Sequence, residues 1–209
     1  MPTFFTQHRA AVTASIDAVA AVAPDDLGLA TPCAGWTLAD LLTHMTAQHH
    51  GFAAAARGQG ADPEVWHTEP FSAGIAADPA GTYATAAHDV LAAFAADGVD
   101  DAPFALPEFG SDVTLPGNIA MGFHFVDYVA HGWDVAATLG TPFTLPADVI
   151  VAVLPLVMAV PDGEFRDAAD APFGHALIRG DLEDSDEGDD FAAILRHLGR
   201  NPDWARTSA

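Results

Sequence analysis

Lysine is absent from this 209-residue chain, and cysteine occurs once, at Cys33. Without lysine, seven basic residues stand against 29 acidic ones, for a net charge of -22. A field of that sign repels phosphate backbones and anionic lipid surfaces, so the composition speaks against a nucleic-acid or membrane-surface partner. A lone cysteine excludes an intrachain disulfide and a cysteine-rich zinc site. Its setting, "TPCAGW", reads as a small loop residue. No apolar run reaches the roughly 18 residues that a bilayer span requires. The apolar N-terminal stretch is broken by Gln7, His8, Ser15 and Asp17 and spaces Phe5, Val12, Ile16 and Val19 helically. It reads as a first helix and not as a secretory signal, which leaves a cytoplasmic location as the default.

What is present is helical patterning with Pro and Gly at the breaks. Half of the residues are hydrophobic, enough for a sizeable core, and the length suits one domain over 1–209. A first helix is expected from about Phe4 to Val22. A second opens at Thr37, with Asp40 three residues on as a capping box, and stops at Gly58. Residues 59–78 read as loop, with Trp66 and Phe71 as anchors. A third helix fits "PAGTYATAAHDVLAAFAADG", and residues 98–117 are irregular with a short extended piece. The fourth helix is "GNIAMGFHFVDYVAHGWDVAATLG", capped by Asn118 and stopped by Gly140. A fifth, "PADVIVAVLPLVMAV", is kinked or split by Pro155. An acidic irregular segment covers 161–190, and a short C-terminal helix covers 190–200. With no long alternating run to build a sheet, the fold class is all-α, a four-helix bundle with irregular loops. The run "DLEDSDEGDD" fails the calcium-loop template and reads as a solvated loop. As an acidic surface for a basic partner it is the weakest functional reading.

The fourth helix carries the polar residues that need explaining. At about 100° per residue, His124, Asp127 and His131 fall within roughly 60° of one another. Asp127 and His131 are an i, i+4 pair, and two groups so spaced can meet one metal ion. One helix face cannot surround an ion, so a third ligand must come from elsewhere. The second helix offers His44, Gln48, His49 and His50. His44 lies at the edge of its apolar stripe and His49 nearer the centre, so periodicity does not choose between them. The competing reading is a plain helical Asp/His pair. His124 is either a supporting donor or a partly exposed helix residue. Asp134, one turn past His131, either orients that imidazole or is a surface charge. Arg57, Arg166 and Arg179 are the cations considered for an anionic substrate.

Three segments together, "TPCAGWTLADLLTHM", "DYVAHGWDVAATLG" and "FAAILRHLGRNPDW", resemble actinobacterial proteins related to the metal-binding domain of mycothiol-dependent maleylpyruvate isomerase, in the DinB-like superfamily of four-helix bundles. The similarity runs from about residue 5 to residue 204. It implies a divalent metal, zinc or nickel, held by His44, Asp127 and His131; the choice of His44 rests on this resemblance. The isomerase carries Glu where Asp127 stands, and Asp reaches roughly 1.5 Å less far. The implied activity is metal-dependent chemistry in which a low-molecular-weight thiol, mycothiol in the family, attacks a small electrophilic molecule. A metal-dependent hydrolase and a non-catalytic metal- or ligand-binding protein linked to stress are the alternatives. A homodimer is expected from the alanine-rich bundle.

Overall fold

The computed structural model describes residues 4–110, 113–168, 171–177 and 189–205. Helix α1 (Phe5–Val19) turns Phe5, His8, Val12, Ser15 and Val19 inward, a 3–4 spacing that makes one continuous buried stripe. Helix α2 (Leu38–Ala56) opens on the expected capping box. The Asp40 N–H donates to Thr37 Oγ1 at 3.3 Å, and the Thr37 N–H donates to the Asp40 carboxylate at 2.9 Å. Helix α4 (Pro79–Phe94) is capped by Asp78, whose carboxylate accepts the Gly81 N–H at 2.9 Å. Helix α5 (Gly117–Leu139) is the longest and most deeply buried element. It ends at Gly140, whose φ of 68° is the left-handed geometry that closes a helix.

The ring contacts fix the helix directions. His8 meets Phe94 and Ser15 bonds Tyr83, so α1 and α4 run antiparallel. His44 meets His131 and His49 meets His124, so α2 and α5 are antiparallel as well. His8 on His124 and Ser15 beside Gly132 make α1 and α5 parallel. The order along the chain is therefore up, down, down, up. Because α2 and α4 share a direction, the chain must travel back between them, which is why residues 57–78 form a long connection.

That connection differs from the loop expected over 59–78. It holds a short helix, α3 (Glu69–Ala77), on which Phe71 sits and packs against His50. Trp66 is the anchor expected: its indole N–H donates to the Gly60 carbonyl at 2.9 Å and its ring meets Phe52. The extended piece within 98–117 is a two-stranded antiparallel hairpin, β1 (Pro103–Ala105) with β2 (Thr114–Pro116). Asn118 does not cap α5; Pro116 takes that position, with its fixed φ of -56° entering the helix. Pro155 does not split the fifth expected helix, because α6 (Ala147–Met158) runs through it. The last helix is α7 (Asp190–His197), capped by Asp189. The acidic run over 181–188 lies outside the described residues.

Leu38, Leu41, Leu42, Met45, Tyr83, Phe94, Phe125 and Tyr128 are fully buried between α1, α2, α4 and α5. A second apolar layer joins α5 to α6 and α7 through Val129, Val149, Val153, Ile194 and Leu198. This layer fastens the C-terminal segment to the half of α5 that carries the polar residues. No helix among the described residues is long and apolar enough to cross a membrane.

Candidate metal centre

The antiparallel register of α2 and α5 brings His44 opposite His131. Their rings meet edge to face, with centroids 5.5 Å apart. One helical turn back along α5, the Asp127 carboxylate lies 3.3 Å from His131 Nε2. One ligand atom from each of His44, Asp127 and His131 falls within 4.8 Å of the other two. His131 is 3 % exposed, the Asp127 side chain 20 %, and His44 half-buried. Trp36 lies at the rim, its ring 4.9 Å from that of His44. The three donors therefore converge at the seam between two helices, with His44 and Asp127 partly exposed.

Charge and burial prepare them differently. Burial pulls His44 down to about 4, outweighing the attraction of Asp127, so its imidazole is neutral with a free lone pair at neutral pH. Burial disfavours the charged form of Asp127, yet His131, His44 and Arg200 hold its carboxyl below the ordinary value. Burial opposes the charge on His131 too. There the Asp127 charge, with hydrogen bonds to Asp127, Asp134 and Cys33, wins and raises it well above 6.5. A metal taking this position must displace a proton from His131.

A second set of side chains stands behind His131. Asp134, fully buried, accepts from His131 Nδ1 at 2.8 Å, which leaves Nε2 turned toward Asp127 and His44. Burial would raise Asp134, but the Arg200 guanidinium leads the groups that hold it down at about 2. Arg200 Nη2 reaches Asp134 Oδ2 at 3.2 Å and Cys33 Sγ at 3.2 Å. The Cys33 thiol donates to Asp134 Oδ2 at 3.1 Å. Cys33, His131 and Asp134 are spaced closely enough to hold an ion, but Arg200 already supplies the cation there. We assign this second group to orienting His131.

The structure thus brings together His44, Asp127 and His131. His49 and His124 lie apart from them, both fully buried and hydrogen-bonded to each other at 3.1 Å. His124 is neither a partner of Asp127 nor partly exposed. Asp134 is the orienting group and not a surface charge. The sequence reading missed Arg200 and placed Cys33 as an ordinary loop residue. Arg200 follows Gly199, whose φ of 74° makes the turn after α7. Its signal in the sequence was a rare cation behind that glycine, inside the segment "FAAILRHLGRNPDW" that carries part of the family resemblance. Of the cations considered for a substrate, Arg57 is held by Asp89 in a two-pronged pair at 2.7 Å. Arg166 is buried and donates to the carbonyls of Pro161, Gly174 and His197. Arg179 lies outside the described residues.

The model of the mycothiol maleylpyruvate isomerase N-terminal domain matches residues 8–136. The chain belongs to that family. The matched stretch spans α1 to α5 and includes all three converging donors. Two uncharacterised proteins of Mycobacterium tuberculosis, from strains CDC 1551 and H37Rv, are each 32 % identical over 166 residues, covering 76 % of this chain and 80 % of theirs. Crystal structures of the mycothiol-dependent maleylpyruvate isomerase and of a variant of it superpose with TM-scores of 0.57 and 0.59 at 15 % and 13 % identity. Each comparison covers 78 % of this chain and 70 % of the other. At that identity the likeness is one of fold. It agrees with the all-α, DinB-like bundle expected from the sequence. The C-terminal segment that supplies Arg200, after α7, lies beyond the matched stretch.

Proposed function

We propose that this protein is a divalent-metal-dependent enzyme that uses a small thiol, mycothiol by family, to isomerise or conjugate a small electrophilic molecule. The observation that carries the reading is the convergence of His44, Asp127 and His131 across the α2–α5 seam. Two imidazoles and one carboxylate form a donor set suited to zinc or nickel, and three protein ligands leave positions open for an exogenous group. The 3.3 Å between Asp127 Oδ1 and His131 Nε2 already matches the roughly 3.3–3.6 Å separation of tetrahedral ligands bonded at about 2.0–2.2 Å, and His44 offers a nitrogen within 4.8 Å of that pair. Rotation of His44, which is half-buried, brings it closer.

The chemistry of such a metal is to lower the pKa of a thiol or water. The protein's part is in its own residues. His44 offers a neutral nitrogen. Asp127 offers a charge fixed by its neighbours. Asp134 keeps the proton of His131 on Nδ1. Trp36 packs edge-on against the His44 ring and braces it. Arg200 is committed to Asp134 and Cys33, so it is not free to bind an anionic substrate.

The thiol reading is tested with cobalt(II)-substituted protein. Adding a small thiol is expected to produce a near-ultraviolet thiolate-to-cobalt band that is absent in His44→Ala. No band at millimolar thiol contradicts thiol binding and favours the hydrolase reading, in which water takes the open position.

A further inference from the structure

We propose that Cys33, Asp134 and His131 Nδ1 form a second cation seat, for a thiophilic divalent ion, which Arg200 keeps closed and which competes with the first centre for His131. The seat uses the ring nitrogen of His131 that faces Asp134, not the one that faces Asp127. Its parts come from distant stretches of the chain. Cys33 stands in the connection before α2, His131 and Asp134 lie one turn apart on α5, and Arg200 follows α7.

The three donor atoms are already gathered. Cys33 Sγ lies 3.1 Å from Asp134 Oδ2 and 3.8 Å from His131 Nδ1, and those two atoms are 2.8 Å apart. A thiolate, an imidazole and a carboxylate on one tetrahedral ion stand roughly 3.3–3.7 Å from one another, given bonds of about 2.3 Å to sulfur and about 2.0–2.2 Å to nitrogen and oxygen. The two shorter separations here are hydrogen bonds, which lengthen when their protons leave. A positive charge also stands at the trio. Arg200 Nη2 is 3.2 Å from Cys33 Sγ and 3.2 Å from Asp134 Oδ2. It is held from behind, with Nη1 donating to the Leu198 carbonyl at 2.8 Å and the guanidinium 5.5 Å from the Phe173 ring. The side chain thus serves as a built-in cation in a seat shaped for one.

Sulfur decides which ion can take its place. The first centre offers two imidazoles and a carboxylate, a set without sulfur. The second offers a thiol in place of one imidazole. Arg200 makes only a weak hydrogen bond to that sulfur, whereas a soft ion bonds a thiolate strongly. Zinc and nickel therefore go to the first centre, and a softer ion displaces Arg200 from the second. Cys33 is half-buried, which leaves the ion a way in.

The exchange balances as follows in the metal-free chain, where His131 faces a carboxylate with each nitrogen and holds a proton on both. The ion bonds Sγ, Nδ1 and Oδ2. The Cys33 thiol proton and the His131 Nδ1 proton go to solvent, and Arg200 leaves Sγ and Oδ2. His131 is then neutral, with its remaining proton on Nε2 toward Asp127. A neutral imidazole has one free nitrogen lone pair, so none is left for the first centre. The two seats share one ring, and only one of them is filled at a time. A thiophilic ion is thus an inhibitor that never touches His44 or Asp127.

The test titrates the metal-free full chain with cadmium(II), with a phosphine as reductant so that no other thiol is present. An ultraviolet thiolate-to-cadmium band is expected in the unaltered chain and equally in His44→Ala. Cadmium NMR is expected to show coupling to His131 Nδ1. Binding is expected to tighten about tenfold in Arg200→Met, where the competing cation is gone. It is expected to weaken at least tenfold in Asp134→Asn. Zinc-loaded protein is expected to release its zinc as the band grows. Absence of the band from both the unaltered chain and Arg200→Met overturns the seat. Equal affinity in Asp134→Asn does so too, because the cysteine then binds cadmium alone. Should a variant lose its helical circular dichroism, the unaltered chain decides: cadmium without coupling to His131 Nδ1 overturns the seat. Zinc retained beside bound cadmium overturns the sharing of His131. Failure of the chain to hold zinc overturns the metal-centre reading only, since the seat is read on metal-free protein.

Discussion

His131 has a carboxylate on each ring nitrogen, Asp127 on Nε2 at 3.3 Å and Asp134 on Nδ1 at 2.8 Å. The two contacts serve different ends. Asp134 is fully buried and held ionised by Arg200, so it acts as a fixed acceptor that sets the tautomer. Asp127 is the more exposed carboxylate and the one that converges with His44. Removing the Asp134 charge leaves its volume in place and loosens the His131 ring. Asp134→Asn is therefore expected to weaken zinc binding about 10- to 100-fold. Isothermal calorimetry against a competing chelator measures this, and unchanged affinity refutes the orienting role. Metal must also displace the His131 proton, whose pKa is raised well above 6.5. Zinc affinity is accordingly expected to rise with pH through neutrality, with proton release seen as a dependence of the binding heat on buffer. The opposite slope contradicts the assignment of His131.

At the scale of elements, α5 decides the site. Its Asp127–His131 spacing and the capping box that starts α2 were legible in the sequence, because both are local and periodic. Gly132 shows what was not. A Cβ there would lie 2.6 Å from the Phe143 ring and 3.3 Å from Ser15 Cβ, so the glycine beside His131 lets α1 and the α5–α6 connection close on the helix. Gly132→Ala is expected to destabilise the fold by about 1–3 kcal/mol by overpacking, read in urea unfolding as a lower midpoint at unchanged slope. A neutral effect shows that Phe143 yields freely. His124 and His49 look, on a helical wheel, like further ligand candidates. Only the register of α1 against α5 shows that they answer to His8 instead. Arg200 was equally hidden, because it meets Asp134 through a contact spanning 66 residues. Helix α3 was lost among the prolines and glycines of its flanks.

The fold holds four histidines in neutral form, three fully buried and His44 half-buried. His8, His44, His49 and His124 all have lowered pKa values, for each of which burial is the leading cause. Below pH 6.5 the unfolded chain takes up protons that these groups refuse in the folded state. Stability is thus present above pH 6.5 and lost as pH falls toward about 4, at up to roughly 1.4 kcal/mol per pH unit for each such proton. His131, raised, acts in the other window: its contribution is complete below pH 6.5 and is lost as pH rises through its folded-state value. The lowered Asp127 and Asp134 add their loss below about pH 4. The metal-free protein is expected to lose melting temperature steeply between pH 6.5 and 4, and less steeply in His8→Leu. A flat profile in that interval contradicts neutral burial of these rings.

The central claim is that α2 and α5 hold a metal ion between them, and metal content tests it most directly. The untagged chain is purified, dialysed and analysed by mass spectrometry beside His44→Ala and His131→Ala. The expected result is about one equivalent of zinc or nickel, lost in both variants while the helical circular dichroism remains. A chain that holds no metal and takes up none on titration with zinc or nickel contradicts the account. Asp127 and His131 are then a helical ion pair, and the bundle binds some other ligand.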